Sequence, residues 1–91
     1  MKYEVTPTNR FQKDLKKIQI RGYDIGLITY VIKLLANDEI LPEKYNDHYL
    51  SGKYSHLREC HITPDWLLIY EKSERELILY LTRTGTHSDL F

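Results

Sequence analysis

The sequence has a single cysteine and no long apolar run. Cys60 cannot form an internal disulfide, and a metal site built on cysteines would need several of them. The longest apolar runs fall far short of the roughly 20 residues that a membrane-spanning helix requires. The N-terminus also lacks the apolar core of a secretory signal peptide. These absences predict a protein of the reducing cytoplasm that has no membrane partner.

An excess of either charge is also missing, because 13 basic residues balance 13 acidic ones. Strong non-specific binding to nucleic acid depends on a net basic surface, so the balance counts against it but leaves room for a local basic patch. What the chain does have is 42% hydrophobic residues and eight tyrosines among its 91 residues. That composition is typical of a folded chain and not of a disordered one. We predict a single domain over residues 1–91.

The N-terminal half has the pattern of a short strand followed by two helices. Residues 2–6 alternate like a strand, and Thr8 or Asn9 can cap the helix that follows. Gly22 ends that helix, and Asp24 can cap a second one that fades by residues 37–38. Apolar residues recur at helical spacing in both segments: Phe11, Leu15 and Ile18 in the first, and Ile25, Ile28, Val31, Ile32 and Leu35 in the second.

The C-terminal half is strand-like after a long loop at 41–55. Residues 57–62, 66–71 and 77–81 are rich in aliphatic and aromatic side chains, and Pro64-Asp65 is a turn signal between the first two segments. The order strand, two helices, three strands predicts an α+β fold. In that fold, the N-terminal strand and the two-helix hairpin pack on a small, mainly antiparallel sheet.

Several residues with acid–base or phosphate chemistry fall at one predicted edge of this sheet. In an antiparallel meander, the end of the first strand, the start of the second and the end of the third meet, because two reversals restore the direction. The meander therefore gathers His61, Asp65 and Arg83, with His87 in the tail beyond them. His48 lies in the long loop.

This set of side chains suits cleavage of a phosphodiester. A neutral histidine or a carboxylate would take the proton from a ribose 2′-hydroxyl, and a protonated histidine would give one to the leaving 5′-oxygen. Arg83 would stabilise the charge that builds on the phosphate.

Each of these residues also has an explanation without a function. A histidine in a loop is usually solvated, the Pro64-Asp65 pair is turn chemistry, and Arg83 can pair with a nearby acid. Trp66 is more often a core residue, and the Lys13, Lys16, Lys17 run is a solvated helix face. A zinc site on His48, His61, Asp65 and His87 is a further alternative, but no compact motif such as H-E-x-x-H supports it.

Three segments resemble the toxins of the YafQ type in the RelE/ParE superfamily. They are YNDHYLSG at 45–52, RECHITPDWLLIY at 58–70 and RTGTHSDLF at 83–91, in the order and spacing of that family. They cover about half the chain. The resemblance implies a bacterial type II toxin with a RelE-like fold, a ribosome-dependent endoribonuclease that cuts translated mRNA in the ribosomal A site. It implies no metal or cofactor, and it implies a cognate antitoxin that neutralises the toxin.

The resemblance also implies roles for individual residues. The acid–base set is His48, His61, Asp65 and His87. Arg83 is the phosphate-binding arginine, and Trp66 and Phe91 shape the site or hold substrate. In this sequence itself, the candidate RNA-facing cations are Lys44, Lys53, Arg58 and Arg83. Which histidine is the base and which is the acid stays open, with His87 favoured as a key proton carrier. Codon preference, the identity and stoichiometry of the antitoxin, and activity on free RNA are not readable from the sequence.

Two other functions compete with this one. The first is a toxin on the same fold that does not cut RNA, such as a gyrase poison, although such a toxin has no use for a set of proton-carrying histidines. The second is a catalytically inactive module that only binds its antitoxin. The intact histidine and arginine positions count against that alternative.

Overall fold

A five-stranded mixed sheet carries three helices in the computed structural model, which describes residues 1–91. The strands lie in the order β1-β5-β4-β3-β2. β1 runs parallel to β5, and the other neighbours are antiparallel. The predicted α+β fold with a mainly antiparallel sheet is confirmed. The elements are β1 (Glu4–Pro7), α1 (Asn9–Ile20), α2 (Ile25–Ala36), β2 (His48–Tyr49), β3 (Arg58–Thr63), β4 (Trp66–Ser73), β5 (Ile78–Gly85) and α3 (His87–Leu90).

The two long helices begin and end where the sequence predicts. The Thr8 hydroxyl accepts a hydrogen bond from the Phe11 amide, and the Asp24 carboxylate accepts one from the Gly26 amide. Each side chain satisfies an amide that has no partner within the helix. α1 ends before Gly22, which takes a positive φ of 89°. None of the helices is long and apolar enough to cross a lipid bilayer.

One face of the sheet packs against α1 and α2 and forms the core. The buried side chains on that face come from the three central strands, and the helices contribute the apolar positions read from their periodicity. The cluster includes Cys60, Ile62, Leu68, Tyr70, Leu79 and Leu81 from the sheet, and Phe11, Ile18, Ile28, Val31 and Leu35 from the helices. Burying each large apolar side chain contributes about 1.5–3 kcal/mol. Burial also raises the pKa of the Cys60 thiol, which is inaccessible.

The opposite face of the sheet carries polar side chains. Because residues paired across strands share a face, the row Arg83–Ile69–Glu59–His48 lies on the side away from the helices. His61 is on the same face, two residues along β3 from Glu59. The sheet therefore separates an apolar helical layer from a face with charged and imidazole groups.

The second half departs from the sequence prediction in two places. The loop at 41–55 contains the two-residue strand β2 and two short 3₁₀ turns, because β2 pairs with the start of β3. β5 begins at Ile78 and extends to Gly85, where Thr84 and Gly85 pair with Leu68 and Leu67. The tail beyond Gly85 forms the short helix α3.

Trp66 corrects one of the predicted substrate contacts. Its side chain is fully buried, its indole N–H donates to the Thr84 hydroxyl (2.8 Å), and Tyr23 meets its ring edge-on at a centroid distance of 5.3 Å. The Thr84 hydroxyl in turn donates to the Leu67 carbonyl (2.7 Å). Trp66 therefore fixes the start of β4 against β5 from the core side, where no substrate can reach it.

Trp66→Phe should lower the free energy of unfolding by about 2 kcal/mol, because it leaves a cavity and removes the hydrogen bond to the Thr84 hydroxyl. Urea unfolding would measure the loss. Tyr23→Phe is the matched control, since it keeps the ring contact, and we expect a change within about 0.5 kcal/mol. Unaltered stability of Trp66→Phe would contradict this role.

Candidate active site

Three histidines from three different elements meet on the face away from the helices. His61 on β3 lies between the other two, with ring centroids 6.4 Å from His48 on β2 and 6.0 Å from His87 at the start of α3. The predicted approach of His87 to His61 is therefore present. His48 joins them because β2 returns along the edge of β3.

A buried carboxylate that the sequence did not single out lies beneath this cluster. One Glu59 oxygen is 3.5 Å from His48 Nε2 and 3.9 Å from His61 Nε2, and the residue is only 7% exposed. This carboxylate therefore lies between two imidazole rings. Glu59 and His61 are two residues apart in a strand, and this spacing is the sequence signal that both side chains lie on one face. The contact of Glu59 with His48 depends on the pairing of β2 with β3, which the sequence does not reveal.

The orientation of the His48 ring is fixed by a short backbone contact. Its Nδ1 lies 2.6 Å from the carbonyl oxygen of Asn46, which can only accept, so Nδ1 carries the hydrogen. Asn46 holds a left-handed conformation that turns its carbonyl toward the ring. The second nitrogen, Nε2, is thereby free for proton transfer and faces Glu59.

His87 has an acidic neighbour from the turn between β3 and β4. The Asp65 carboxylate is 3.7 Å from His87 Nδ1, and both side chains are mostly exposed. The sequence placed this pair at one sheet edge, and the structure does so too.

α3, which carries His87, is anchored at Asp89. Arg21 donates two hydrogen bonds to the Asp89 carboxylate (2.7 and 3.0 Å), and the Thr86 amide adds a third. These contacts hold the pKa of Asp89 well below its usual range. The Phe91 amide donates to the His87 carbonyl, while Phe91 itself remains 69% exposed.

Arg83 lies on the same face as the histidines, two strands away. A spacing of about 4.8 Å per strand puts its backbone about 10 Å from that of Glu59. Its guanidinium group donates two hydrogen bonds to the Asp14 carboxylate of α1, with an Nε–Oδ2 distance of 2.6 Å and an Nη2–Oδ1 distance of 3.2 Å. Nη1 has no protein partner. The meander predicted that Arg83 lies close to the histidines, but its side chain contacts Asp14 instead. Its Nη1 remains a free donor group.

Arg58, predicted as an RNA-facing cation, lies apart from the histidines. Arg58 pairs with Tyr70 across the sheet, so its side chain lies on the helix face, opposite His61. It donates to both Asp47 oxygens, and the Tyr70 hydroxyl donates to Asp47 at 2.5 Å. These partners raise the pKa of Arg58, and burial beside Asp47 raises that of Tyr70. The cluster attaches the segment before His48 to the sheet.

The two predicted lysines differ in position. Lys44 lines a shallow depression of about 660 Å³ together with Asn46 and His61, and its ammonium group lies over the Tyr45 ring. Lys53 is exposed on the turn Gly52–Tyr54, with its ammonium group over the Tyr54 ring, and it contacts none of the histidines. No group of three or more histidine, cysteine, aspartate or glutamate side chains is arranged to hold a metal ion.

Comparisons with known proteins match this chain to a single family of toxins. A family model described as "Bacterial toxin of type II toxin-antitoxin system, YafQ" matches residues 3–91. The mRNA interferase toxin YafQ of Escherichia coli K12 is 37% identical over 89 residues, which are 97% of this chain and 95% of the relative.

Solved structures agree with that match. A metal-bound toxin from Helicobacter pylori superimposes with a TM-score of 0.92 at 40% identity and covers 98% of this chain and 99% of its own. The toxin in the Escherichia coli DinJ-YafQ complex has a TM-score of 0.90 at 37% identity, with 98% of each chain covered.

Asp47→Asn should lower the free energy of unfolding by about 2 kcal/mol or more, because it leaves the half-buried Arg58 without its ion-pair partner. Urea unfolding would measure it. Asp38→Asn is the matched control. It removes a carboxylate paired with two lysines at the exposed surface, and we expect little change. Equal losses in the two variants would contradict the anchoring role of Asp47.

Proposed function

The chain belongs to the YafQ family of bacterial type II toxins, and we propose that it is a ribosome-dependent endoribonuclease that cuts translated mRNA. The Escherichia coli relative is named an mRNA interferase toxin. The observation that carries this activity to the present chain is the meeting of His48, His61 and His87 on one open face.

The proposed reaction is an attack by the ribose 2′-oxygen on the adjacent phosphorus. A base removes the 2′-hydroxyl proton, the new 2′-O–P bond forms, and the P–O5′ bond breaks. An acid gives a proton to the leaving 5′-oxygen, so the products are a 2′,3′-cyclic phosphate and a free 5′-hydroxyl. Imidazole suits both steps near neutral pH. No metal or other cofactor takes part.

His87 is the residue to which we assign the principal proton transfer. It is the most exposed of the three, with 56% of its side chain accessible, compared with 41% for His48 and 21% for His61. An RNA lying across the face therefore meets His87 first. The Asp65 carboxylate lies 3.7 Å from its Nδ1, and Phe91 offers an exposed ring on which a base can stack.

Glu59 is a positioning residue that acts through His48 and His61. It is buried and forms no ion pair with any other residue, so its charge acts on these two imidazoles. With Nδ1 of His48 already donating to Asn46, a proton on Nε2 faces Glu59. This arrangement keeps a second proton donor or acceptor available opposite His87.

Three of the remaining predicted residues bind substrate in this proposal, and two support the structure. The free Nη1 of Arg83 stabilises negative charge on the phosphate, since Asp14 holds the other side of the guanidinium. Lys44 adds positive charge beside His61, and Lys53 provides a more distant contact. Arg58 and Trp66 act only by supporting the structure.

Two partners complete the proposal. The Escherichia coli toxin is solved together with the DinJ antitoxin, and we propose that a cognate antitoxin neutralises this chain. The ribosome is the second partner, because it presents the mRNA in an extended form and adds groups that this small face lacks. A gyrase poison or an inactive module is less consistent with three clustered imidazoles.

His87→Ala should lower mRNA cleavage in a purified translation system by about 10²- to 10⁴-fold, the range for loss of a proton-transfer group. Cleavage by the wild type should require ribosomes and persist with a transition-metal chelator that leaves ribosomal Mg²⁺ in place. His56→Ala is the control, since that exposed histidine lies outside the cluster. Full activity of folded His87→Ala would refute the assignment. Gyrase inhibition without cleavage would refute the function.

Glu59→Gln should reduce the rate of cleavage at saturating ribosomes about tenfold, because the two imidazoles lose their shared counter-charge. The affinity for ribosomes should stay at the wild-type value, so that the loss lies in the rate and not in binding. Glu71→Gln, which removes a carboxylate from the next strand, should leave both unchanged. A Glu59→Gln enzyme with the wild-type rate would show that Glu59 is only a packing residue.

A further inference from the structure

A small polar crevice lies between α1 and β5, beside the proposed active site. Its volume is about 80 Å³, enough for a small anion and too little for a nucleobase. Every residue that lines it is polar or charged: Arg10, Asp14, Lys17, Arg83, Thr84 and Asp89. An apolar ligand therefore has no place in it.

The crevice exists because β1 covers only part of the outer edge of β5. The β1–β5 pairing stops at Leu81, so α1 supplies the next contacts. The Asp14 carboxylate accepts from the Thr84 amide at 3.2 Å. Arg10, Asp14 and Lys17 follow the spacing i, i+4, i+7, which places them on one side of the helix.

The charges in the crevice do not cancel. Asp14 is paired with Arg83, and Asp89 is paired with Arg21, each through two hydrogen bonds. Arg10 and Lys17 have no ion pair with any of the 91 residues. Two positive charges therefore remain beside a crevice of anion size.

We infer that this crevice binds a second phosphate of the RNA backbone, next to the phosphate that is cut. The inference rests on the proposed function, because it places RNA on the histidine face. Arg83 belongs to both regions, with its backbone in the row of Glu59 and its guanidinium in the crevice. An RNA strand that leaves the histidines across β5 passes over Arg10 and Lys17, whose charges suit a phosphate.

The test measures binding without cleavage. The probe is a fluorescent single-stranded 2′-O-methyl RNA, which has no free 2′-hydroxyl and cannot be cut. The Arg10→Gln/Lys17→Gln double variant should bind it about five- to tenfold more weakly at 50 mM KCl. The slope of log affinity against log salt should be shallower by about 0.7 to 1, the value for one lost phosphate contact.

The Lys13→Gln/Lys16→Gln double variant is the matched control. It removes the same charge from the other sides of α1, and its affinity should stay within about twofold of the wild type. Equal effects of the two double variants would overturn the inference, and so would no measurable binding by the wild type. Weaker binding to poly-L-glutamate with unchanged RNA affinity would assign the crevice to an acidic protein segment and would also overturn it.

Failure of the proposed function gives a different result. If the wild type binds the uncleavable RNA through the crevice but cuts no translated mRNA, the phosphate site is supported and the nuclease function is refuted. If the wild type cuts mRNA and the Arg10→Gln/Lys17→Gln variant binds RNA as well as the control does, only the phosphate site is refuted.

Discussion

The register between β3 and β4 determines which side chains of these two strands reach the open face. Glu59 is paired with Ile69, and Cys60 with Leu68. Since side chains alternate along a strand, this pairing sends Cys60 toward the helices and Glu59 with His61 to the open face. A slip of one residue would bury charged groups among the helices and expose core residues. The packing of the apolar face against the helices therefore also determines which side chains lie on the polar face. The same packing holds the site residues of these strands in place.

The balance of charge has a structural explanation. Several acidic residues serve as anchors for elements that carry the site: Asp47 holds the segment before His48, Asp89 holds α3 with His87, and Asp14 holds Arg83. These carboxylates are matched within the protein. Other basic side chains have no acidic partner. A chain with a formal net charge of zero therefore still presents a local positive surface beside the histidines.

Trp66 and Phe91 differ in exposure, and this difference gives them different functions. Trp66 follows directly after Asp65 in the chain, yet its ring is in the core and its N–H is satisfied by Thr84. Phe91, at the end of the chain, keeps an open ring although its amide is tied to the His87 carbonyl. A rigid, buried aromatic ring supports the turn that carries Asp65, whereas the exposed ring is free to meet a base.

The sequence by itself determined the elements that depend on local physics. Helical periodicity, the caps at Thr8 and Asp24, the turn at 64–65 and the strand segments all follow from neighbouring residues, and the meander brought His61 close to Asp65 and His87. The tertiary structure alone decided the rest. β2 has only two residues, too few for a period-2 signal, so the contact of His48 with Glu59 was not readable. In the apolar run that starts at Trp66, alternation does not reveal which side chains face the core. Ion pairs such as Arg83 with Asp14, 69 residues apart, depend on how the helices pack, which no local pattern encodes.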